Sequence, residues 1–217
     1  MSGVRAADGH LLGAVLAGGA SRRLGRDKAA EPVGGRRMID RAVSALEDHC
    51  TDVVVVSSRA DTPSGAWRRI EDARPDGGPL CGIEAALLHA RASGREGAIV
   101  LAVDLPLVGA QDIGHLVRAY HAPRNVSPAI DSAGTFPTAR AVAAKRTGQP
   151  DFEPLCAIYA TGCLPQVQQL LDRGERAAQA LFRSVDGRRV PGLEGAALNV
   201  NEKRDLEAAL TALEPNG

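Results

Sequence analysis

The chain has 217 residues, of which 44% are hydrophobic and 24% charged, as in an ordinary globular protein. Its 26 lysines and arginines balance its 26 aspartates and glutamates, so a formal net charge of +0 gives no reason to expect nucleic acid or an anionic membrane as a partner. Aromatic residues make up only 3% of the chain, which argues against a protein that binds single strands by stacking.

The sequence contains neither a recognisable targeting segment nor a predicted membrane span. No apolar run approaches the roughly 18 residues that a spanning helix needs. The N-terminal stretch MSGVRAADGH lacks the apolar core of a signal peptide, which predicts a cytoplasmic protein. The cysteines form no C-x-x-C pair, so we expect buried, reduced thiols rather than a zinc site or a disulfide at Cys50, Cys81, Cys156 and Cys163.

Short apolar runs alternate with amphipathic segments along the chain. Runs rich in β-branched residues predict buried strands, and apolar residues spaced by three or four predict helices. This alternation predicts an α/β protein with a mostly parallel sheet flanked by helices. Strands are predicted at 11–17, 52–58, 98–103 and 155–159, with a further strand ending at 199–200. Helices are predicted at 38–46, 83–92, 113–119, 164–171 and 202–213.

Two segments rich in Pro, Gly and Ser interrupt this alternation. Residues 59–80 and 121–154 are too long to be simple connections in a compact domain, and long connections often carry function. The sequence has no internal repeat and no change of composition that would mark a second domain. We therefore expect residues 1–217 to form one domain, with residues 1–10 flexible.

The first predicted strand runs into a glycine-rich, cationic loop within LGAVLAGGASRRLGRDKAA, residues 12–30. Gly18 and Gly19 follow the strand directly, where a parallel sheet binds ligands and where glycines let backbone amides approach a phosphate. The sequence of this loop matches neither the P-loop motif G-x-x-x-x-G-K-[ST] nor the dinucleotide-binding motif G-x-G-x-x-G. Its basic residues suit a triphosphate and its leaving pyrophosphate, with a solvated basic turn as the alternative. These residues are Arg22, Arg23, Arg26 and Lys28.

The stretch LAGGASRRLGRDKA, residues 16–29, resembles the L-A-G-G-x-S-x-R-x-G-x-D-K-A signature of the molybdenum cofactor guanylyltransferases. These enzymes belong to the nucleotidyltransferases with a Rossmann-like, three-layer, glycosyltransferase-A-like fold. The resemblance implies that the start of the loop contacts the nucleotide, largely through its backbone, and that Lys28 reaches the phosphates. The residues implied at the start of the loop are Leu16, Ala17, Gly18 and Gly19.

A carboxylate follows the predicted strand in IVLAVDLPLV, residues 99–108. Asp104 at this strand end is well placed to hold Mg²⁺, which takes few protein oxygens and completes its shell with phosphates and water. The alternative is that Asp104 caps the following helix. The segment also resembles the D-x-P stretch of the same family, which implies that Asp104 binds the metal.

A second acidic position lies in IEDARPDGGPLCGIEAAL, residues 70–87. This stretch resembles the family's acidic residue followed by G-P-L-x-G-[IM], which implies that Asp72 contacts the nucleotide. Glu71 is adjacent and could exchange roles with it, and a solvated loop carboxylate is the alternative for either residue.

The C-terminal third carries two further matches. EPLCAIY, residues 153–159, resembles the stretch that shapes the acceptor side of the site, and NVNEKRDL resembles N-[VI]-N-x-x-x-[DE]-L. Asn199 and Asn201 lie two apart, so in a strand they would point to one face and could contact the pterin acceptor or a second metal. Capping of the last helix by Asn201 is the alternative. One departure is that the family often has an Asn after the 52–58 strand, where this chain has Val56, Ser57 and Ser58.

The resemblance implies GMP transfer from Mg·GTP to molybdopterin, with Asp104 holding Mg²⁺ and with Lys28 and Arg23 stabilising the transferred and departing phosphates. Two alternative enzymes remain: a CTP-dependent molybdopterin cytidylyltransferase would share the loop, and a sugar-1-phosphate nucleotidyltransferase would share the sheet. The Gly-Gly pair in the loop favours GTP over CTP. A nucleotide-sensing protein without turnover is the non-enzymatic alternative, and the presence of both Lys28 and Asp104 disfavours it. Possible protein partners are molybdoenzymes or cofactor-delivery proteins.

Overall fold

The structure is a computed structural model. It describes residues 10–18, 28–60, 62–63, 65–72, 74, 78–122, 140–146 and 151–213, so nearly all of the N-terminal stretch predicted to be flexible lies outside the described residues. The described strands are β1 (Leu11–Leu16), β2 (Pro32–Val33), β3 (Arg36–Arg37), β4 (Val53–Val56), β5 (Arg68–Ile70), β6 (Gly97–Ala102), β7 (Arg140–Lys145), β8 (Phe152–Ala160) and β9 (Asp186–Val190). The described α-helices are α1 (Met38–Glu47), α2 (Gly78–Ala92), α3 (Ala110–His121), α4 (Leu164–Asp172), α5 (Ala178–Ser184) and α6 (Lys203–Leu213).

Seven of the described strands form one sheet in the order β5-β4-β1-β6-β8-β7-β9, while β2 and β3 form a short hairpin of their own. β1 pairs in parallel with β4 and β6, β4 pairs in parallel with β5, and β7 pairs in parallel with β9. β8 is antiparallel to both of its neighbours, β6 and β7. The sheet is therefore mostly parallel, as the sequence predicts.

Helices cover both faces of this sheet. β1 and β6 are buried along their whole length, as expected for central strands that are covered on both sides. On one face, an apolar cluster joins the strands to α1 and α3 through residues such as Ile39 and Ile113. On the other face, a second cluster joins them to α2, α4 and α5 through Ile83, Val167 and Leu181. The predicted α/β architecture with a central sheet between helical layers is confirmed.

The predicted strand ending at 199–200 is wrong. Residues 198–201 are irregular, and the strand in this part of the chain is β9, whose sequence DGRRV has little strand character. Val200 is fully buried, and its backbone N–H donates to the carbonyl oxygen of Asp104 at 2.8 Å instead of joining a strand ladder. A single buried β-branched residue between two asparagines therefore imitates a strand end without forming one.

Both long segments that interrupt the predicted alternation contain strands. β5 lies within 59–80, while β7 and the start of β8 lie within 121–154. Their sequences explain why they are hard to predict: β5 reads RRI and β7 reads RAVAAK, so neither is rich in β-branched or aromatic residues. Residues 123–139 and 147–150 of the second segment lie outside the described residues.

The described helices include none that is long and apolar enough to cross a membrane. The four cysteines are buried free thiols, as predicted. Cys156 and Cys163 belong to the two different apolar clusters, and burial raises the pKa of Cys163 to about 12, which keeps its thiol protonated. The cysteines therefore act as small apolar residues of the core.

Candidate active site

The parallel strands β4, β1 and β6 end at one edge of the sheet, and the candidate site is built along this edge. The backbone at the end of β1 is fixed by both neighbouring strands. The Leu16 carbonyl accepts a hydrogen bond from the Val103 N–H at 3.1 Å, and the Ala17 N–H donates to the Val56 carbonyl at 3.0 Å. Gly18, the next residue, is exposed. The strand thus delivers the start of the predicted nucleotide loop to the carboxyl edge, where parallel sheets bind ligands.

Asp72 lies beside this exposed glycine. A Cβ atom added at Gly18 would be 3.8 Å from Asp72 Oδ2 and 4.0 Å from the Cα atom of Ser57. Asp72 Oδ1 is buried and has no hydrogen-bond partner among the described residues, and burial raises the pKa of this carboxyl group. A buried polar atom without a partner is uncommon in folded proteins, so Asp72 Oδ1 is available to a donor from outside the protein.

Lys28, Asp104 and Asn201 meet at the end of β6. Lys28 Nζ donates to Asn201 Oδ1 at 2.6 Å and lies 3.7 Å from Asp104 Oδ2. Burial raises the pKa of Asp104, while the positive charge of Lys28 acts in the opposite direction. Asp104 Oδ1 is buried without a hydrogen-bond partner in the described part of the chain. The fold therefore brings together three residues that the sequence analysis selected from separate motifs.

The asparagine segment is fixed against the turn that contains Asp104. A Cβ atom added at Gly195 would overlap the Leu107 carbonyl oxygen, so only a glycine permits this close approach of two backbone segments. Together with the hydrogen bond from the Val200 N–H to the Asp104 carbonyl, this contact holds Asn199 at the site. Asn199 Oδ1 is buried and, within the described residues, has no hydrogen-bond partner.

Neither helix-capping alternative is correct. α3 begins at Ala110, and the Asp112 carboxylate accepts a hydrogen bond from the Gly109 N–H at 3.0 Å, so Asp104 does not cap this helix. α6 begins at Lys203, and Asp205 Oδ2 accepts the backbone N–H groups of Asn201 at 2.9 Å and Glu202 at 2.8 Å. The side chains of Asp104 and Asn201 are left for the site.

The donor set at the end of β6 suits Mg²⁺. Asp104 Oδ1 and Asn199 Oδ1 are hard oxygen ligands that are buried and lack hydrogen-bond partners among the described residues. Mg²⁺ takes its remaining ligands from substrate phosphates and water, so it needs few oxygens from the protein. The described residues contain no group of three or more His, Cys, Asp or Glu side chains that could hold a metal ion.

Two predicted site residues, Gly19 and Arg23, lie outside the described residues.

At the position where the family often has an Asn, Ser57 is fully buried. Its hydroxyl group lies 2.7 Å from Thr62 Oγ1 and accepts the Arg59 N–H at 3.2 Å. Ser57 thus stabilises the turn after β4.

Two buried glutamates were not among the predicted site residues, although Glu153 opens the stretch EPLCAIY that the resemblance places on the acceptor side. Glu153, at the start of β8, accepts from Arg146 Nη1 at 2.6 Å and from the Leu155 N–H at 3.1 Å. Glu84, in α2, accepts both Nε and Nη2 of Arg74, at 3.1 and 3.3 Å. The available signal in each case was a charged residue inside an otherwise apolar stretch, in FEPLCAI and in GIEAAL.

Arg74 connects three parts of the molecule. Besides binding Glu84 of α2, its Nη1 donates to Asp172 Oδ1 at the end of α4, at 2.8 Å. Arg74 lies two positions after Asp72 in the sequence. The ion pairs therefore tie the segment that carries Asp72 to two helices on the same face of the sheet.

Comparisons with known proteins identify the family of this chain. The sequence profile of the MobA-like NTP transferase domain matches residues 13–191. A protein of Opitutus terrae named "Probable molybdenum cofactor guanylyltransferase" is 37% identical over 177 residues, which cover 81% of this chain and 79% of that protein. The molybdenum cofactor guanylyltransferase of Desulfosudis oleivorans is 30% identical over 216 residues, covering 94% of this chain and 96% of that protein.

Solved structures share the fold. Molybdopterin-guanine dinucleotide biosynthesis protein A from Archaeoglobus fulgidus superposes with a TM-score of 0.70 at 22% identity, covering 93% of this chain and 98% of that chain. The 2-C-methyl-D-erythritol 4-phosphate cytidylyltransferase from Thermus thermophilus has a TM-score of 0.61 at 15% identity, covering 92% and 96% of the two chains. The profile match and the sequence relatives show that the chain belongs to the MobA-like NTP transferase family.

Proposed function

We propose that this protein transfers GMP from Mg·GTP to molybdopterin, giving the guanine dinucleotide form of the cofactor and pyrophosphate. The observation that carries the proposal is the meeting of Lys28, Asp104 and Asn201 at the carboxyl edge of the sheet. The names of the similar proteins from Opitutus terrae and Desulfosudis oleivorans support guanylyl transfer as the reaction.

In the proposed reaction, the terminal phosphate of molybdopterin attacks the α-phosphorus of GTP. A new P–O bond forms there, the bond to the β-phosphate oxygen breaks, and pyrophosphate leaves with the electron pair. A phosphate monoester dianion is already a nucleophile and needs no protein base. The protein therefore contributes mainly positioning and neutralisation of charge, which together account for most of the catalysis in phosphoryl-type transfer.

Each residue has a separate part in this proposal. Lys28, kept in place by Asn201, neutralises charge on the phosphates, and Arg23 adds a second cation. The backbone at Leu16, Ala17, Gly18 and Gly19 orients the nucleotide, and Asp72 accepts a donor from it. The carboxylate of Asp104 and the amide oxygen of Asn199 hold Mg²⁺. When bound, Mg²⁺ would neutralise the negative charge of the triphosphate.

Calorimetry with GTP, CTP, ATP and UTP in the presence of Mg²⁺ tests the nucleotide part of the proposal. We expect GTP to bind most tightly and the affinity to fall strongly in Lys28→Ala. The variant Arg91→Ala is a matched control, because it removes an exposed cation from the last turn of α2, close in the chain to the start of β6 and so at the opposite edge of the sheet. A preference for CTP would replace guanylyl by cytidylyl transfer, and the absence of binding to all four nucleotides would contradict the proposal.

We further propose that residues 1–217 act as one domain and that the protein works in the cytoplasm. The single sheet formed by seven of the described strands supports the first point. The second point is supported by the small-molecule substrates of the proposed reaction, which belong to cofactor biosynthesis inside the cell. The product would then pass to molybdoenzymes or to proteins that deliver the cofactor to them.

A further inference from the structure

The edge of the sheet that carries the site has two halves, separated by β6. Gly18 and Asp72 follow β1 and β5, on one side of Asp104 in the strand order. Arg146 follows β7, and Glu153 lies at the start of the antiparallel strand β8, on the other side. Because β8 runs opposite to its neighbours, its first residues lie at the same edge as the last residues of β6 and β7. The nucleotide residues and the Arg146–Glu153 pair thus flank Asp104.

Strand register fixes the position of this pair. Leu101 of β6 is opposite Cys156 of β8, so the antiparallel register, continued past the end of β6, leads from Asp104 toward Glu153. Ala144 of β7 is directly opposite Glu153 on the other side of β8. The Arg146 N–H donates to the Asp151 carbonyl at 2.9 Å, which anchors the backbone at the point where the arginine leaves the sheet.

The pair is asymmetric in its exposure. The Glu153 side chain is only 5% exposed, and both carboxylate oxygens have partners, Arg146 Nη1 and the Leu155 N–H. The Arg146 side chain is 27% exposed, and its Nη1 donates to Glu153. A guanidinium group has five N–H donors, so donors beyond the one bonded to this buried carboxylate can bind a ligand.

Stability alone is a weak explanation for such a pair. Removing two charges from water costs about as much as their attraction returns, so a buried ion pair adds little to the free energy of unfolding. Position links the pair to the site, because the strand register places Glu153, and with it the Arg146 that it binds, beside the end of β6, where Asp104 lies.

We propose that Arg146, oriented by Glu153, binds the terminal phosphate of the acceptor. This inference rests on the proposed guanylyl transfer. Attack in line requires the nucleophile to approach the α-phosphorus from the side opposite the leaving pyrophosphate. With Gly18 and Asp72 on the β1 side of Asp104, the acceptor approaches from the β8 and β7 side, where Arg146 lies. A guanidinium group is the side chain best suited to bind a phosphate dianion through two parallel hydrogen bonds.

Glu153 is a positioning residue in this arrangement, since it acts only through Arg146. Steady-state kinetics with the full-length protein, varying molybdopterin and GTP separately, distinguish this role from a structural one. We expect Arg146→Gln to raise KM for molybdopterin about 10- to 100-fold and to leave the GTP dissociation constant unchanged. Glu153→Gln keeps the shape of the side chain but replaces one of its two acceptor oxygens by an NH2 donor and removes the charge, and we expect it to raise KM for molybdopterin about 3- to 10-fold.

Arg189→Gln is the matched control. Arg189 of β9 forms an ion pair with Asp151 at 3.0 Å near the same edge, but both side chains are more than 40% exposed. We expect this variant to have kinetic constants like those of the wild type. If Arg146→Gln loses GTP binding because it misfolds, Arg146→Lys, which keeps the charge but loses the fork geometry, should still raise KM for molybdopterin with normal GTP affinity.

The outcomes separate the two proposals. A wild type that binds GTP but transfers nothing to molybdopterin would overturn guanylyl transfer and this inference with it. An active wild type with an unchanged molybdopterin KM in both Arg146 variants would overturn the inference alone. Equal increases of KM for molybdopterin in Arg146→Gln and Arg189→Gln would also overturn it, because general surface charge would then explain the effect.

Discussion

The carboxyl edge of the sheet and its surroundings contain two contrasting sets of buried polar groups. Asp72, Asp104 and Asn199 each have a buried oxygen without a hydrogen-bond partner among the described residues. Glu84 and Glu153, by contrast, have partners for both carboxylate oxygens. Buried polar atoms are normally paired, which supports the proposal that a ligand binds at the unpaired oxygens, whereas the paired carboxylates hold the surrounding segments.

The largest effects should come from the residues around the unpaired oxygen of Asp104. We expect Lys28→Ala and Asp104→Ala each to lower the rate of guanylyl transfer about 10²- to 10³-fold, the usual loss when one contact to developing charge is removed. Rates from single-turnover assays, with circular dichroism to verify folding, check this prediction. Activity within about tenfold of the wild type for either variant would contradict the assignment.

A smaller loss is expected at Asn201, which acts through Lys28. Asn201→Ala removes the acceptor that holds Lys28 Nζ at 2.6 Å, so we expect a decrease of about tenfold in kcat/KM for GTP. Asn201→Asp restores an acceptor and should recover part of the activity. A matched control is Gln166→Ala, since Gln166 bonds only weakly to Gln169 on the exposed face of α4, at 3.5 Å. Equal activity of Asn201→Ala and this control would show that the contact with Lys28 has no function.

The paired glutamate Glu84 should affect nucleotide binding by way of Arg74. Glu84→Gln weakens the link between α2 and the segment after Asp72, so we expect KM for GTP to rise about 3- to 10-fold with little change in kcat. Arg91→Gln, which removes an exposed cation from the last turn of α2, is the control and should leave both constants unchanged. A fall in kcat without a change in KM would contradict a role in placing Asp72.

The smallest effect is a gain of stability from Asp72→Asn. Burial raises the pKa of Asp72 above its ordinary value of 3.8, so the folded protein binds this proton more tightly than the unfolded chain does. The stability that this proton contributes is present at low pH and is lost as pH rises through the raised pKa. A neutral asparagine avoids this loss, and we expect Tm of the ligand-free protein to rise by about 2–4 °C at pH 7, together with weaker GTP binding.

Thermal unfolding at several pH values checks this prediction. The difference in Tm between Asp72→Asn and the wild type should shrink as pH falls toward 3.8, because the wild-type carboxyl group then becomes neutral as well. Glu71→Gln is the control, since Glu71 is exposed and should change neither Tm nor GTP binding. If Glu71→Gln weakens GTP binding and Asp72→Asn does not, the two acidic residues have the opposite roles.

Contiguous motifs made part of this site predictable. Lys28 and Asp104 could be selected because each follows a strongly apolar strand, and the ends of parallel strands share one edge of the sheet. The central strands β1, β4 and β6 were predictable because each is a short apolar run, as expected of strands that are covered on both faces.

The remaining features depend on contacts between distant parts of the chain. Asn201 meets Lys28 across 173 positions, and no local pattern encodes that pairing. Arg74 bonds to Glu84 and to Asp172, which lies 98 positions away, and these contacts depend on how α2 and α4 pack. The wrong strand at 199–200 has the same origin, because Val200 is buried by the Asp104 turn and not by a strand partner.

The most direct test of the central claim is pyrophosphate release from Mg·GTP by the purified protein, measured with and without molybdopterin. The account predicts release that requires molybdopterin, yields the guanine dinucleotide in equal amount, and is faster with GTP than with CTP. It also predicts that release is nearly abolished in Lys28→Ala. Molybdopterin-dependent release with CTP alone would assign cytidylyl transfer, and no release with any nucleotide would contradict the account.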